Sequence, residues 1–254
     1  MSEFNESNVL EIAEMLKTAT ENVERVYAAG HSEGMKSEYD AFWDDYQDNG
    51  NRRDYTCAFG GQGWTKEQFN PKYPLIITNG YMLFYRNPNA IDSVAADFTN
   101  CTDLSYTFGQ CGVAKVGTVD ARKAVNLNGT FGNSKNLVSV EKVILTDNGN
   151  QQFISGAFKN CTALENITFE GVIGQDLDIQ WSTKLKRASI ESIVNHLSDA
   201  AIGKTLTLSE AAVDTAFSGG QSAPDPSTTT EIGSATVDWF NLYLSKTNWT
   251  ITLV

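Results

Sequence analysis

Two histidines, His31 and His196, and four cysteines, Cys57, Cys101, Cys111 and Cys161, are the whole stock of imidazoles and thiols in 254 residues. A Ser-His-Asp or Cys-His centre would have to use one of the two imidazoles. His31 lies in the glycine-rich break "AAGHSEG" and His196 on a helical stretch beside its apolar stripe, so solvent or packing is the expected role of both. Four cysteines can pair in three ways by count alone. Cys101, Cys111 and Cys161, however, each stand three residues after a phenylalanine, a position that Ser134 also fills. A small side chain at a tight bend reads as a buried free thiol, and no C-x-x-C pair suggests zinc. "GKT" at 203–205 has the last letters of a phosphate-binding loop, but Ser198 replaces its first glycine and a strand follows where a helix is required. Asp176 and Asp178 in "GQDLDIQW" alternate on an extended segment and would share a side. Paired carboxylates can do hydrolytic chemistry, although an exposed edge is the plainer reading. The sequons at Asn100, Asn160, Asn166 and Asn248 match glycosylation acceptors, but Asn and Thr also suit bends. No catalytic residue, metal or cofactor is assigned.

The elements that must position these residues follow an unusual rhythm. Phe158, Cys161, Leu164, Ile167 and Phe169 are spaced by three, three, three and two, which neither a helix nor an alternating strand produces. The spacing reads as a bend of chain that straightens into a short strand and cannot bury its own apolar edge. Phe131, Ser134, Leu137 and Val140 repeat it, followed by Val143 and Leu145; Phe108, Cys111, Ala114, Val116 and Val119 give a looser copy; Phe98, Cys101 and Leu104 give a truncated one. The intervals from Phe108 to Phe131 and Phe131 to Phe158 are 23 and 27 residues, within the range of leucine-rich repeats.

The F-x-x-C-x-x-L-x-x-I-x-F pattern resembles the BspA-like class of leucine-rich repeat, found in surface proteins of gut bacteria and in phages and prophages of Firmicutes. The likeness takes in "SEYDAFWDDYQDNGNRR" (37–53) and "GWTKEQFNPKYP" (63–74), and "LENITFEGVIGQDLDIQWSTKL" (164–185) looks like a last repeat and its cap. It covers most of residues 25–254. The expected architecture is an α/β repeat: a leucine-rich-repeat solenoid of short parallel strands and irregular repeats, with an N-terminal helical or coiled-coil segment and an α/β C-terminal cap. Residues 1–30 form an N-terminal helix, 31–90 a helical cap and a strand hairpin, 91–187 the repeats, and 188–254 C-terminal capping repeats. The resemblance implies a non-enzymatic phage or prophage virion protein of tail-fibre or receptor-binding type. It implies other tail proteins and a bacterial surface glycan or protein as partners, and the virion as location. The alternative is a depolymerase acting on cell-surface polysaccharide.

Composition bounds the same reading. The net charge of −12 argues against nucleic acid, whose phosphates require clustered Lys and Arg. Twelve acids against Lys17, Arg25 and Lys36 place nine of those charges in residues 1–48. No apolar run is long enough to span a bilayer, and "MSEFNESNVLEIAEML" lacks the basic start and apolar centre of a secretory signal. Val9, Ile12, Leu16, Ala19, Val23 and Val26 trace an a/d seam, to be folded back on the body or shared with other copies; β-branched residues at both positions favour a homotrimer. Met35, Tyr39, Phe42, Trp43 and Tyr46 resume helical spacing as a cap. "CAFGGQGW" (57–64) reads as a loop and "PLIITNGYMLFY" (74–85) as two strands about an Asn-Gly turn. Ser189 is a candidate N-cap for a helix over 189–200, "KTLTLS" (204–209) a strand, "EAAVDTAF" (210–217) a short helix, and 235–254 a final helix and strand closing the same sheet. Trp64, Tyr81, Tyr85 and Trp181, with Asp176 and Asp178, are the candidate contacts to sugar or protein.

Overall fold

Phe59, Phe84, Phe108, Phe131 and Phe158 lie in one column, each ring stacked on the next at centroid separations of 5.4, 5.3, 5.6 and 5.1 Å. In this computed structural model the described residues are 46–47, 51–61, 75–88, 96–146, 153–217, 239 and 241–254. The chain divides into the units Met1–Asn51 and Arg52–Val254. The seam residues Val9, Ile12, Leu16, Ala19, Val23 and Val26, together with His31 and Trp64, lie outside the described residues.

The backbone around each ring is built the same way. Counting from the phenylalanine as position 0, the residue at +2 takes left-handed φ in all five coils (Gly61, Arg86, Gln110, Asn133 and Asn160) and the residue at −2 in four (Cys57, Met82, Tyr106 and Gly129), Gly156 being the exception. Only Gly adopts that region freely; here seven non-glycine residues are held there. The result is a train of three overlapping turns. Around Phe84, Leu83 N–H donates to Gly80 O, Tyr85 N–H to Met82 O and Asn87 N–H to Phe84 O, all at 3.1 Å. The intervening N–H groups point along the column, so that Gly80, Met82, Phe84 and Arg86 donate to Asp103, Ser105, Thr107 and Gly109 of the next coil at 2.8–3.1 Å. Odd positions satisfy the coil itself and even positions tie it to its neighbour, which accounts for the backbone donors of a non-helical, non-sheet segment. Ring separations just above the roughly 4.8 Å spacing of hydrogen-bonded strands follow from that ladder.

Polar side chains set the entry to four of the five turns, Phe153 standing at that place before Phe158. Asp54, Asn79, Asp103 and Asn126, all at −5, accept the backbone N–H two residues ahead at 2.8–3.0 Å, the Asx turn that replaces a missing backbone partner. Asp97 and Asp120 repeat this at −11, each at a strand end. Asp120 also takes the Arg122 guanidinium at 2.6 Å, which holds its carboxyl below the usual range.

Between the turns the chain straightens. β1 (Leu75–Ile76) pairs with β2 (Ala96–Asp97), and β3 (Lys115–Asp120), β4 (Ser139–Ile144) and β5 (Asn166–Glu170) form a second sheet; every pairing is parallel. Val116, Val119, Val140, Val143, Ile167 and Phe169 turn inward and are buried. The open edge of β5 is closed by α1 (Arg187–Asn195), whose Ser189 and Ser192 hydroxyls accept Ile167 N–H and Phe169 N–H, both at 2.9 Å. Ser189 is therefore an edge-closing residue inside the helix and not its N-cap, a position held by Lys186.

Beyond it, β6 (Leu177–Asp178), β7 (Lys204–Leu208) and β8 (Trp249–Leu253) make a separate parallel sheet, order β6-β7-β8, with α2 (Glu210–Ala216) following β7. The expectation that this region continues the repeat sheet is thus corrected: α1 interposes where a strand would have extended it. Lys246, 9% exposed, anchors this end by donating to Leu197 O at 2.8 Å and pairing with Asp199 at 2.6 Å.

Two other expectations are overturned. Among the described residues no hairpin forms over 75–85, because β1 pairs in parallel with β2 and residues 81–86 are turns on the ring column. The loop expected from residue 57 holds for the turns of 57–61, which also carry the ring of Phe59 into the column. Phe98 is no repeat start either: it meets Phe108 edge-on at 6.1 Å within the same coil.

Candidate ligand-contact surface

Fixing the ring column inward forces the residues beside it outward. At +1 and +2 these are Tyr85 and Arg86, Gln110, Asn133, and Lys159 and Asn160, with buried Gly109 and Gly132 filling +1 in the two middle coils. The next coil continues them with Ile179 in the ring position. Ser182 N–H donates to Ile179 O at 3.0 Å and Leu185 N–H to Ser182 O at 3.3 Å, as Cys161 does to Phe158 and Leu164 to Cys161. Trp181 stands two residues after Ile179 and next along from Lys159, without the left-handed φ that marks +2 in the phenylalanine coils.

The side chains along this strip are mutually ordered. Arg86 Nε donates to Gln110 Oε1 at 3.2 Å, and Gln110 Nε2 to the Tyr85 hydroxyl at 2.8 Å. The Arg86 guanidinium sits 5.2 Å from the Tyr85 ring centre, and Tyr106 meets Tyr85 edge-on at 5.9 Å. Glycines let the rings lie down: a Cβ on Gly129 would fall 2.6 Å from Tyr106 Cε1, and one on Gly109 3.2 Å from Tyr85 Cδ2. Asn160 Nδ2 donates to Asn133 Oδ1 at 2.8 Å, and Lys159 Nζ stands 6.0 Å above Trp181. Tyr85, Tyr106 and Trp181 are half-buried and Arg86, Gln110, Asn133 and Lys159 exposed.

The sequence candidates thus separate. Tyr85 and Trp181 share the strip. Tyr81, half-buried at −3, lies beside it; burial first, then the nearby Cys57 and Asp103, raises its phenol above the ordinary value. Asp176 and Asp178 are held in local structure: Asp176 accepts Thr205 N–H at 2.8 Å and Asp178 accepts the Gln180 amide at 3.0 and 3.1 Å. Sequence reasoning missed Tyr106, Arg86, Gln110, Asn133 and Asn160. Their signal was available as the recurring positions −2 and +2 about each phenylalanine.

Other chemistry is muted. His196 ends α1, with Nδ1–H donating to Ser192 O at 2.7 Å. Cys161 donates to Phe131 O at 3.0 Å, and Ser134 makes the same contact to Phe108 O at 2.5 Å. Burial pushes the Cys161 thiol up to about 12 and Cys101 and Cys111 to about 11. All four cysteines are free. An open cleft of about 620 Å³ beside α1 is lined by Glu165, Lys184, Lys186, Arg187 and Thr215 among others, with Lys186 and Glu165 3.5 Å apart. Among the described residues no His, Cys, Asp or Glu cluster could hold a metal ion, and no helix is long and apolar enough to cross a membrane. Comparison with protein-family models, curated proteins and solved structures finds no match.

Proposed function

We propose that the chain is a recognition and structural protein: a leucine-rich-repeat solenoid of the BspA-like kind, acting as a tail-fibre or receptor-binding component of a phage or prophage particle. Its partners are then other tail proteins and the surface of a Firmicute host, and the seam Val9, Ile12, Leu16, Ala19, Val23 and Val26 makes it a trimer. The observation that carries the binding role is the division of labour in the ring column. Inward positions and backbone donors hold the coils together, so side chains at +1 and +2 can vary without disturbing the ladder, the property that gives repeat proteins extended binding faces. The phage setting is supported by the sequence resemblance. Co-sedimentation of purified protein with Firmicute cells tests the role: retention without release of soluble carbohydrate supports it, whereas fragments freed from the cells would mark the depolymerase instead. Sedimentation before and after deletion of residues 1–30 tests the seam. A trimer mass that collapses to a monomer supports it, and a monomer in both cases removes it.

A further inference from the structure

Resting on the recognition reading above, we infer that the strip from Tyr85 to Trp181 binds a linear, uncharged polysaccharide running parallel to the ring column. Three observations converge. Aromatic rings stand at both ends, Tyr85 with Tyr106 at one and Trp181 at the other; each is half-buried and offers, beside the cation next to Tyr85 and Trp181, apolar surface with a polar rim of the kind pyranose rings pack on. Between them lie amides, which donate and accept at once. The Asn160–Asn133 hydrogen bond uses one donor and one acceptor and leaves Asn133 Nδ2 and Asn160 Oδ1 to face a ligand, the complement of a vicinal diol. Third, in a chain of net charge −12 the columns at −3, −2, +1 and +2 of the five phenylalanine coils carry no carboxylate. The cations Arg86 and Lys159 are turned onto rings, so the strip does not offer the clustered free charge that a polyanion requires.

Spacing gives the direction. Arg86 and Asn160 are three hydrogen-bonded coils apart, about 14 Å at the interstrand repeat, and Trp181 lies beyond with its ring 6.0 Å from Lys159 Nζ. One coil advances about as far as one sugar in an extended chain. Four to five sugars fill the strip.

The test uses the full chain on Firmicute cells oxidised with mild periodate or shaved with protease. Periodate should abolish binding and protease should spare it. The neutral wall polysaccharide of the same cells, freed of phosphate with hydrofluoric acid and cut to fragments of graded length, should bind with affinity that climbs to four or five sugars and then levels. Trp181→Ala and Tyr85→Ala should each weaken binding about tenfold, the loss of one stacking platform, with unchanged circular dichroism; Lys142→Ala on the outer face of β4 should leave it unaltered. Binding lost to protease and spared by periodate overturns the polysaccharide while leaving adhesion standing, as does binding confined to phosphate-bearing polymer and suppressed by salt. Failure to retain any cell overturns both.

Discussion

Truncating Phe131 to alanine should be among the most damaging single changes in the protein. The ring is 1% exposed and lies between Phe108, 5.6 Å away and only 3° from parallel, and Phe158 at 5.1 Å. Removing a buried phenylalanine costs about 3–5 kcal/mol through lost transfer energy and the cavity left behind. The coils cannot collapse into that cavity, because Phe131 N–H and Asn133 N–H hold the next coil at Ala157 O and Lys159 O, 2.9 and 2.6 Å away. Each stacked neighbour adds about 0.5–1.5 kcal/mol beyond burial, so a value near about 5 kcal/mol is expected. Urea unfolding followed by circular dichroism measures it, with coincident fluorescence transitions checking two-state behaviour. Phe153→Ala is the control, since that ring is 67% exposed and its loss should stay within about 0.5 kcal/mol. The stack also predicts which pairs couple. Phe108→Ala with Phe131→Ala should be non-additive by about 0.5–1.5 kcal/mol, whereas Phe84→Ala with Phe158→Ala should add within about 0.5 kcal/mol. Equal coupling in both pairs, or a Phe131→Ala cost below about 1 kcal/mol, would refute the account of the rings as one continuous support.

Replacing Ser189 and Ser192 with alanine strips the acceptors from Ile167 N–H and Phe169 N–H and should cost about 1–3 kcal/mol per orphaned donor, with hydrogen exchange at those two amides accelerating first. Gly171→Ala forces a side chain onto φ +79° and within 2.2 Å of Leu145 O; a thermal midpoint lowered by at least several degrees is expected, and an unchanged midpoint would contradict the packing. The buried thiols give an alkaline limit. Cys161 is protonated up to about 12 when folded, against an ordinary value of 9.0, so both states bind the proton below 9 and no stability is lost there. Above 9 only the unfolded thiol ionises, and stability should fall progressively as pH rises towards 12; Cys161→Ser should flatten that fall. In the native state at pH 8, a thiol reagent should modify half-buried Cys57 before Cys101, Cys111 or Cys161, and all four once guanidinium is added.

The sequence by itself showed that something repeats, and where Phe108, Phe131 and Phe158 begin their bends, because a column shared by neighbouring coils imposes the same side chain at the same place in each. It missed Phe59 and Phe84 because the Cys or Ser at +3 is absent there, replaced by Gln62 and Asn87. The more faithful marker was Asp or Asn at −5, present at Asp54, Asn79, Asp103 and Asn126. It reads as an ordinary turn residue until the coils are laid side by side. For the same reason "NGYM" looked like a hairpin: local chemistry calls for a turn, but whether the next segment folds back antiparallel or passes into another coil depends on partners some 24 residues away. Tyr85 and Trp181 were legible as aromatics in polar settings. That they share one strip with Tyr106, Gln110, Asn133 and Asn160 was decided only by the tertiary structure. Left-handed φ at +2 in every phenylalanine coil and at −2 in four of them sets these side chains beside the ring, and the inter-coil hydrogen bonds align them into a face.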